Sequence, residues 1–284
     1  MDYQWYPGHM TKSIRQMQED IRLIDLIIEI VDARIPMSSR NPDIEKLGQG
    51  KARIIILNKY DLADERETKK WEKVFTDEGL HPILSDARTN TIRKALLPVV
   101  REACKEKIER NKRRGIMNRP MRAMVCGIPN VGKSTLINSF VKRSAAKTGN
   151  KPGVTKGKQW IRVSGELELM DTPGLLWPKF EDQEIGKKIA LIGSMNDQNL
   201  VPEELAEDLI ARLTEHFPGR FSDRYCVDET KDVQAILENI AVRRGCLKKG
   251  GEADFEKTSR ILLDDFRSGN LGRITLDFAD EAGK

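Results

Sequence analysis

The segment Gly127-Ile-Pro-Asn-Val-Gly-Lys-Ser-Thr135 fits the pattern G-x-x-x-x-G-K-[ST], and its chemistry is that of holding phosphate. Gly127 and Gly132 let backbone N–H groups close around a β-phosphate where a side chain would block the approach. Lys133 brings a point charge to the β- and γ-phosphates, and the Ser134 hydroxyl is a ligand for Mg2+. The motif needs a strand before it and a helix after it. The apolar run Met121-Arg-Ala-Met-Val-Cys126 supplies the first, and Leu136, Ile137 and Phe140 follow at helical spacing. A helix starting at Lys133 adds its own partial positive charge. In that context a chance glycine-rich turn is the weaker explanation. The chain binds a nucleoside triphosphate, with Asn130, Val131, Gly132, Lys133, Ser134 and Thr135 around the phosphates.

Two further stretches specify the switch and the base. Asp171-Thr-Pro-Gly174 ends the alternating run Leu167-Glu-Leu-Met170, which places it at the C-terminal end of a strand, where open α/β sheets collect ligands. Asp171 is suited to hold Mg2+ through water, and the Gly174 N–H to sense a γ-phosphate. Asn58-Lys-Tyr-Asp61 follows the apolar run Arg53-Ile-Ile-Ile-Leu57. An Asp61 carboxylate accepts from both N1–H and the 2-amino group of guanine, a donor pair that adenine lacks, and such sites reject the analogue strongly. Asn58 and Lys59 complete that motif. Alone, N-K-x-D also makes ordinary turns; beside a phosphate loop it reads guanine. Ser85 and Ala87, after Pro82-Ile-Leu84, are candidates for the backbone contact to guanine O6.

The order of these motifs is inverted. The guanine-reading motif usually follows the phosphate loop, but here Asn58 to Asp61 precede Gly127. A doubly wound sheet allows this when the chain is cut at one loop and its former ends, lying close together, are joined. The expected fold is α/β: a circularly permuted GTPase domain with a mostly parallel, doubly wound sheet over residues 1–178, then a small helical domain over 179–284. The chain then leaves the sheet directly from the Asp171–Gly174 switch.

With Trp5-Tyr-Pro-Gly-His-Met10, Asp32-Ala-Arg-Ile-Pro36 and Asp171-Thr-Pro-Gly-Leu-Leu-Trp-Pro178, this order resembles the bacterial ribosome biogenesis GTPase A family over essentially the whole chain. The resemblance implies GTP hydrolysis late in large ribosomal subunit assembly, with ribosomal RNA and ribosomal proteins as partners. It also bears on the water. Leu175 stands where many GTPases carry a water-orienting Gln, so another group must orient it. In the similar family a His in the matching W-[FY]-P-G-H-M segment is proposed for that role, which falls on His9. The expected catalytic set is His9, Lys133 and Gly174. Potassium-dependent GTPases resemble the G-x-P-N-V-G-K-[ST] pattern, with the Asn carboxamide helping to hold K+, which falls on Asn130. Thr155, in Gly153-Val-Thr155, is the natural second hydroxyl for Mg2+ beside Ser134 and Asp171.

The rest of the chain positions or surrounds these groups. Asp25-Leu-Ile-Ile-Glu-Ile-Val31 is a continuous apolar run that suits a strand covered on both faces. Met10, Ile14, Met17 and Ile21 predict a first helix, Trp71, Val74 and Phe75 another, and Ile92, Leu96, Val99 and Val100 a third. After Pro178, helical spacing recurs in four groups, starting at Ile185, Pro202, Val233 and Phe255; Arg273-Ile-Thr-Leu-Asp-Phe278 alternates like a short strand. No second nucleotide site or nucleophile–base pair stands there, so recognition is its expected work.

Charge is placed unevenly within a net of only +5. Lys142, Arg143, Lys147, Lys151, Lys156 and Lys158 surround Thr155 with no acid among them, and Lys105, Lys107, Arg110, Lys112, Arg113, Arg114, Arg119 and Arg122 crowd the connector. Solvated faces explain either block taken singly; both together favour a phosphate-rich partner. Four scattered Cys give neither disulfide nor zinc spacing. No run is long and apolar enough to span a membrane. The expectation is a soluble, cytoplasmic, monomeric bacterial protein that binds GTP and GDP with Mg2+ and K+. A guanine-nucleotide switch acting on a protein partner is the competing reading, and an RNA-modifying enzyme a third.

Overall fold

The computed structural model describes residues 9–86, 92–148, 160–172, 182–195 and 200–281, leaving out the side chains of 9–14, 93 and 141–148. Its centre is a six-stranded sheet. In chain order the strands are β1 (Leu26–Asp32), β2 (Ala52–Asn58), β3 (His81–Ser85), β4 (Met121–Cys126), β5 (Trp160–Arg162) and β6 (Leu167–Asp171). They lie in the order β3-β2-β1-β4-β6-β5, parallel throughout except for β5, which pairs antiparallel with β6 at the edge. All seven residues of β1 are buried, Glu29 and Asp32 included, as a strand covered on both faces requires. Strands whose motifs are far apart in sequence thus become neighbours: β2 and β4 flank β1, so the inverted motif order still converges on one sheet edge.

The helices of the first half are α1 (His9–Asp20), α2 (Pro42–Leu47), α3 (Glu65–Asp77), α4 (Ile92–Ala103), α5 (Lys105–Arg113) and α6 (Lys133–Thr148). Their starts are written locally. Asn41 caps α2 by accepting from the Asp43 N–H, with Pro42 at the first position, and Asp64 caps α3 by accepting from Arg66 and Glu67. Trp71 and Phe75 of α3, Leu96 and Val100 of α4 and Phe140 of α6 are buried at helical spacing.

The second half contains α7 (Gln183–Leu191), α8 (Pro202–His216), α9 (Arg220–Tyr225), α10 (Val233–Arg244) and α11 (Phe255–Ser268). The short α9 is not signalled by any apolar period. Phe255 departs from expectation: it is the first residue of α11 and 40 % exposed, while Leu262 and Phe266 carry the buried face. Arg273–Phe278 is not a sheet strand either. It runs as an extended strap over the first half: the Ile274 N–H donates to Leu62 O, the Leu276 N–H to Arg34 O, and Trp71 Nε1–H to Asp277 O. Asp277 is buried and accepts from the Ser38 N–H and hydroxyl and from Lys188. The apolar core runs unbroken from Ile28 and Val125 of the sheet to Ile189, Leu209, Ile240 and Phe266 of the helices. The helical part is therefore packed into the nucleotide domain, not tethered to it. All four cysteines are free. Among the described residues no helix is long and apolar enough to cross a membrane.

Candidate nucleotide-binding site

The C-terminal ends of the parallel strands bring the predicted residues together. Asp32, Asn58 and Ser85 are register partners at the ends of β1, β2 and β3, and Asp171 ends β6 beside Val125 of β4. From the end of β4 the chain enters the phosphate loop. Gly127 has φ +148°, and a Cβ there would lie 2.4 Å from Ile30 O and 3.2 Å from Val131 Cγ2, so only glycine fits. Asn130 and Gly132 also adopt positive φ, at +59° and +101°. Lys133 opens α6, and Ser134 and Thr135 are exposed in its first turn.

Lys133 is buried, and its ammonium donates to Ile128 O at 2.8 Å. Burial pulls its pKa down to about 8, against the partial counter-pull of Asp171. A cation held in this state, without a full anionic partner, is suited to receive phosphate oxygens.

The Asn58–Asp61 loop is fixed from several sides. Asn58 is buried and donates through Nδ2 to Val131 O at 2.6 Å, which ties the base motif to the phosphate loop. Lys59 takes the left-handed conformation, φ +57°, and starts a tight turn, Tyr60–Leu62, that carries half-buried Asp61. The strap holds the turn from outside: Arg273 donates to Tyr60 O and Ala63 O, at 3.1 and 2.6 Å. Ser85 is fully buried, and its hydroxyl has no partner among the described residues. An orphaned hydroxyl in register with Asn58 fits a polar ligand at this edge of the sheet. Ser134 and Asp171 offer exposed oxygen donors, the set that Mg2+ takes alongside phosphate and water.

Some predicted residues are not placed. Ala87, Thr155 and Gly174 lie outside the described residues, and His9 is the first residue of α1 with its side chain outside them.

One functional pair has a role that the sequence reading did not supply. Asp32 is fully buried and accepts from Arg34 Nε at 2.9 Å and Nη2 at 2.8 Å, and its Oδ2 lies 2.9 Å from Lys59 Nζ. Burial would raise this carboxyl, but the Arg34 guanidinium and then the Lys59 ammonium outweigh it and hold it well below the usual carboxylate range. Asp32 thereby anchors the Asn58–Asp61 loop through Lys59. The signal was present in Asp32-Ala-Arg34, an acid and a base two apart directly after a continuous apolar strand.

Comparison with known proteins agrees with this geometry. A family model described as 50S ribosome-binding GTPase matches residues 122–236. Ribosome biogenesis GTPase A of Bacillus cereus is 44 % identical over 100 % of this chain and 96 % of its own. Mitochondrial ribosome-associated GTPase 1 of Mus musculus is 34 % identical over 96 % of this chain and 89 % of its own. Among solved structures, the GDP-bound structure of TM YlqF superposes with a TM-score of 0.67 at 26 % identity, covering 94 % of this chain and 100 % of that one. With the guanine motif on β2, the phosphate loop after β4 and full-length similarity at this identity, the chain belongs to the ribosome biogenesis GTPase A family.

Proposed function

We propose that this chain is a GTP hydrolase of ribosome assembly that binds the RNA of the large ribosomal subunit. GTP hydrolysis follows from the family and the site, and a role in ribosome assembly from the relatives' names.

In this reading the reaction divides among the following groups. Lys133 exchanges Ile128 O for the β- and γ-phosphate oxygens, which gives its buried charge an anionic partner. Asp61 accepts from N1–H and the 2-amino group of guanine, its loop held by Asn58, Lys59 and Asp32. Ser134, Thr155 and Asp171 would hold Mg2+, which would supply neutralisation of the charge that develops on the transferred phosphate. The Gly174 N–H senses the γ-phosphate, His9 orients the attacking water, and the Asn130 carboxamide helps to hold K+ beside the phosphates. Residues 179–284 serve recognition and 1–178 catalysis, a division of labour more than of packing.

The observation that carries the RNA partner is an uneven use of the connector's cations. Lys107 and Arg119 pair with Asp25, Arg122 with Glu168 and Arg101 with Glu166. Arg110, Lys112, Arg113 and Arg114 are exposed and make no ion pair among the described residues. Four free cations within two turns form a ridge that attracts phosphates. Lys107 of the same helix pairs with Asp25, just before β1, so the helix is anchored at the strand edge opposite the nucleotide. Replacing all four by Gln is expected to weaken binding to large-subunit ribosomal RNA equally with GDP and with a GTP analogue. It should also flatten the plot of log affinity against log salt by about three. An unchanged salt slope would overturn the RNA reading and favour a guanine-nucleotide switch with a protein partner, for which the exposed Ile116 and Met117 beside the ridge are suited.

A further inference from the structure

Bonds that nucleotide binding does not require connect the phosphate loop to the helical half. Asn130 Nδ2 donates to Gly193 O at 2.7 Å, just beyond the end of α7. Arg267, near the end of α11, donates from Nε to Leu191 O at 3.0 Å and from Nη2 to Ala190 O at 2.9 Å. This fork caps the last carbonyls of α7, where the helix dipole favours a cation. Gly193 has φ +75°, and a Cβ there would sit 3.2 Å from Arg267 Nε. Arg267 therefore occupies the space a side chain would take and fixes the carbonyl that Asn130 reaches. Asn130 is held at φ +59°, a left-handed conformation that the bond to Gly193 helps to maintain.

The backbone of the same residue also connects to the Asn58–Asp61 loop. Arg267 O accepts from Arg34 Nη1 at 3.3 Å, Arg34 holds Asp32, and Asp32 holds Lys59 of the guanine-reading motif. One connected set of bonds thus runs from the phosphate loop, through α7 and α11, to the guanine-reading loop. The helical half adds a second connection beside the direct bond from Asn58 Nδ2 to Val131 O.

We infer that Arg267 is a positioning residue of the nucleotide site, and that the contact Asn130–Gly193–Arg267 transmits occupancy of the phosphate loop to the helical half. The inference rests on the guanine-nucleotide reading of the site. Nucleotide held by the loop that carries Asn130 would reinforce the carboxamide's hold on the end of α7, which follows Asp171 in the chain. Linkage makes the effect reciprocal: whatever loosens Arg267 weakens nucleotide binding.

A chain of contacts carries coupling only if its members act on one equilibrium, so non-additivity is the decisive quantity. GDP affinity would be measured on the full chain for Arg267→Met, Asn130→Gly and the double variant. Glycine keeps the left-handed backbone while removing the carboxamide. Each single change is expected to weaken GDP binding about 5- to 10-fold, and the double no more than the stronger single. Effects that multiply would overturn the inference. Hydrogen exchange gives a second readout. GDP should slow exchange of the Gly193 and Ser194 amides, which bond to Ala190 O and Ile189 O, in the parent and not in Asn130→Gly. Exchange indifferent to GDP in the parent would overturn the inference too, and this comparison decides alone if Arg267→Met does not fold. A parent chain that bound no GDP would instead overturn the guanine reading.

Discussion

Lys133→Met is expected to lower GTP turnover about a thousand-fold while leaving the nucleotide-free protein no less stable than its parent. The two halves of this result have one cause. In the free protein the ammonium is buried against a single carbonyl, Ile128 O, and its pKa falls from 10.5 to about 8. Unfolded, the group has its ordinary pKa, so the unfolded chain binds more protons between those values. Stability therefore rises with pH from about 8 to 10.5, and below that window the charge costs the fold on the order of 3 kcal/mol. Methionine removes that cost and forfeits one hydrogen bond, worth about 1 kcal/mol. It also removes the charge that the transferred phosphate requires. In the parent, phosphate raises the Lys133 pKa, so GDP binding at pH 8 takes up about half a proton, against about a tenth at pH 7. Calorimetry in buffers of different ionisation enthalpy measures this uptake, and Lys133→Met should abolish it. Uptake persisting in the variant, or turnover near the parent's, would show that Lys133 does not meet the phosphates.

Asp61→Asn is expected to reduce the preference for GTP over ATP at least a thousand-fold. An amide in place of the carboxylate presents a donor to the N1–H and 2-amino pair, so one buried donor must go unpaired. The loop itself should stand, because Lys59 is held by Asp32, and Tyr60 O and Ala63 O by Arg273. Competition of ATP and GTP for the parent and the variant measures the preference directly. An unchanged preference would mean that Asp61 does not face the base.

What could be read in the sequence was what is local. The phosphate loop is a contiguous motif because successive backbone N–H groups must wrap one phosphate, so Gly127 to Thr135 announce it without help from distant residues. The N-K-x-D motif is legible for the same reason, as is the buried β1 run. The strap was not legible. Ile274, Leu276 and Asp277 meet Leu62, Arg34, Ser38 and Trp71 more than two hundred residues away, and nothing in their alternation names that partner. Phe255 misled because an apolar residue at the first helical position matches the period without reaching the core. Arg267 and Gly193 matter only through each other and through Asn130, a contact between segments that no motif spans.

The most direct test of the central claim is GTP turnover by the full chain in potassium buffer, with and without large ribosomal subunits. The expected result is slow basal turnover, stimulated strongly by the particle, lost at high salt and absent with ATP. Replacing K+ by Na+ should lower it, and chelating Mg2+ should abolish it. His9→Ala should keep GTP affinity and lose most of the stimulation. Turnover indifferent to ribosomal particles would contradict the account, leaving a guanine-nucleotide switch whose partner is a protein.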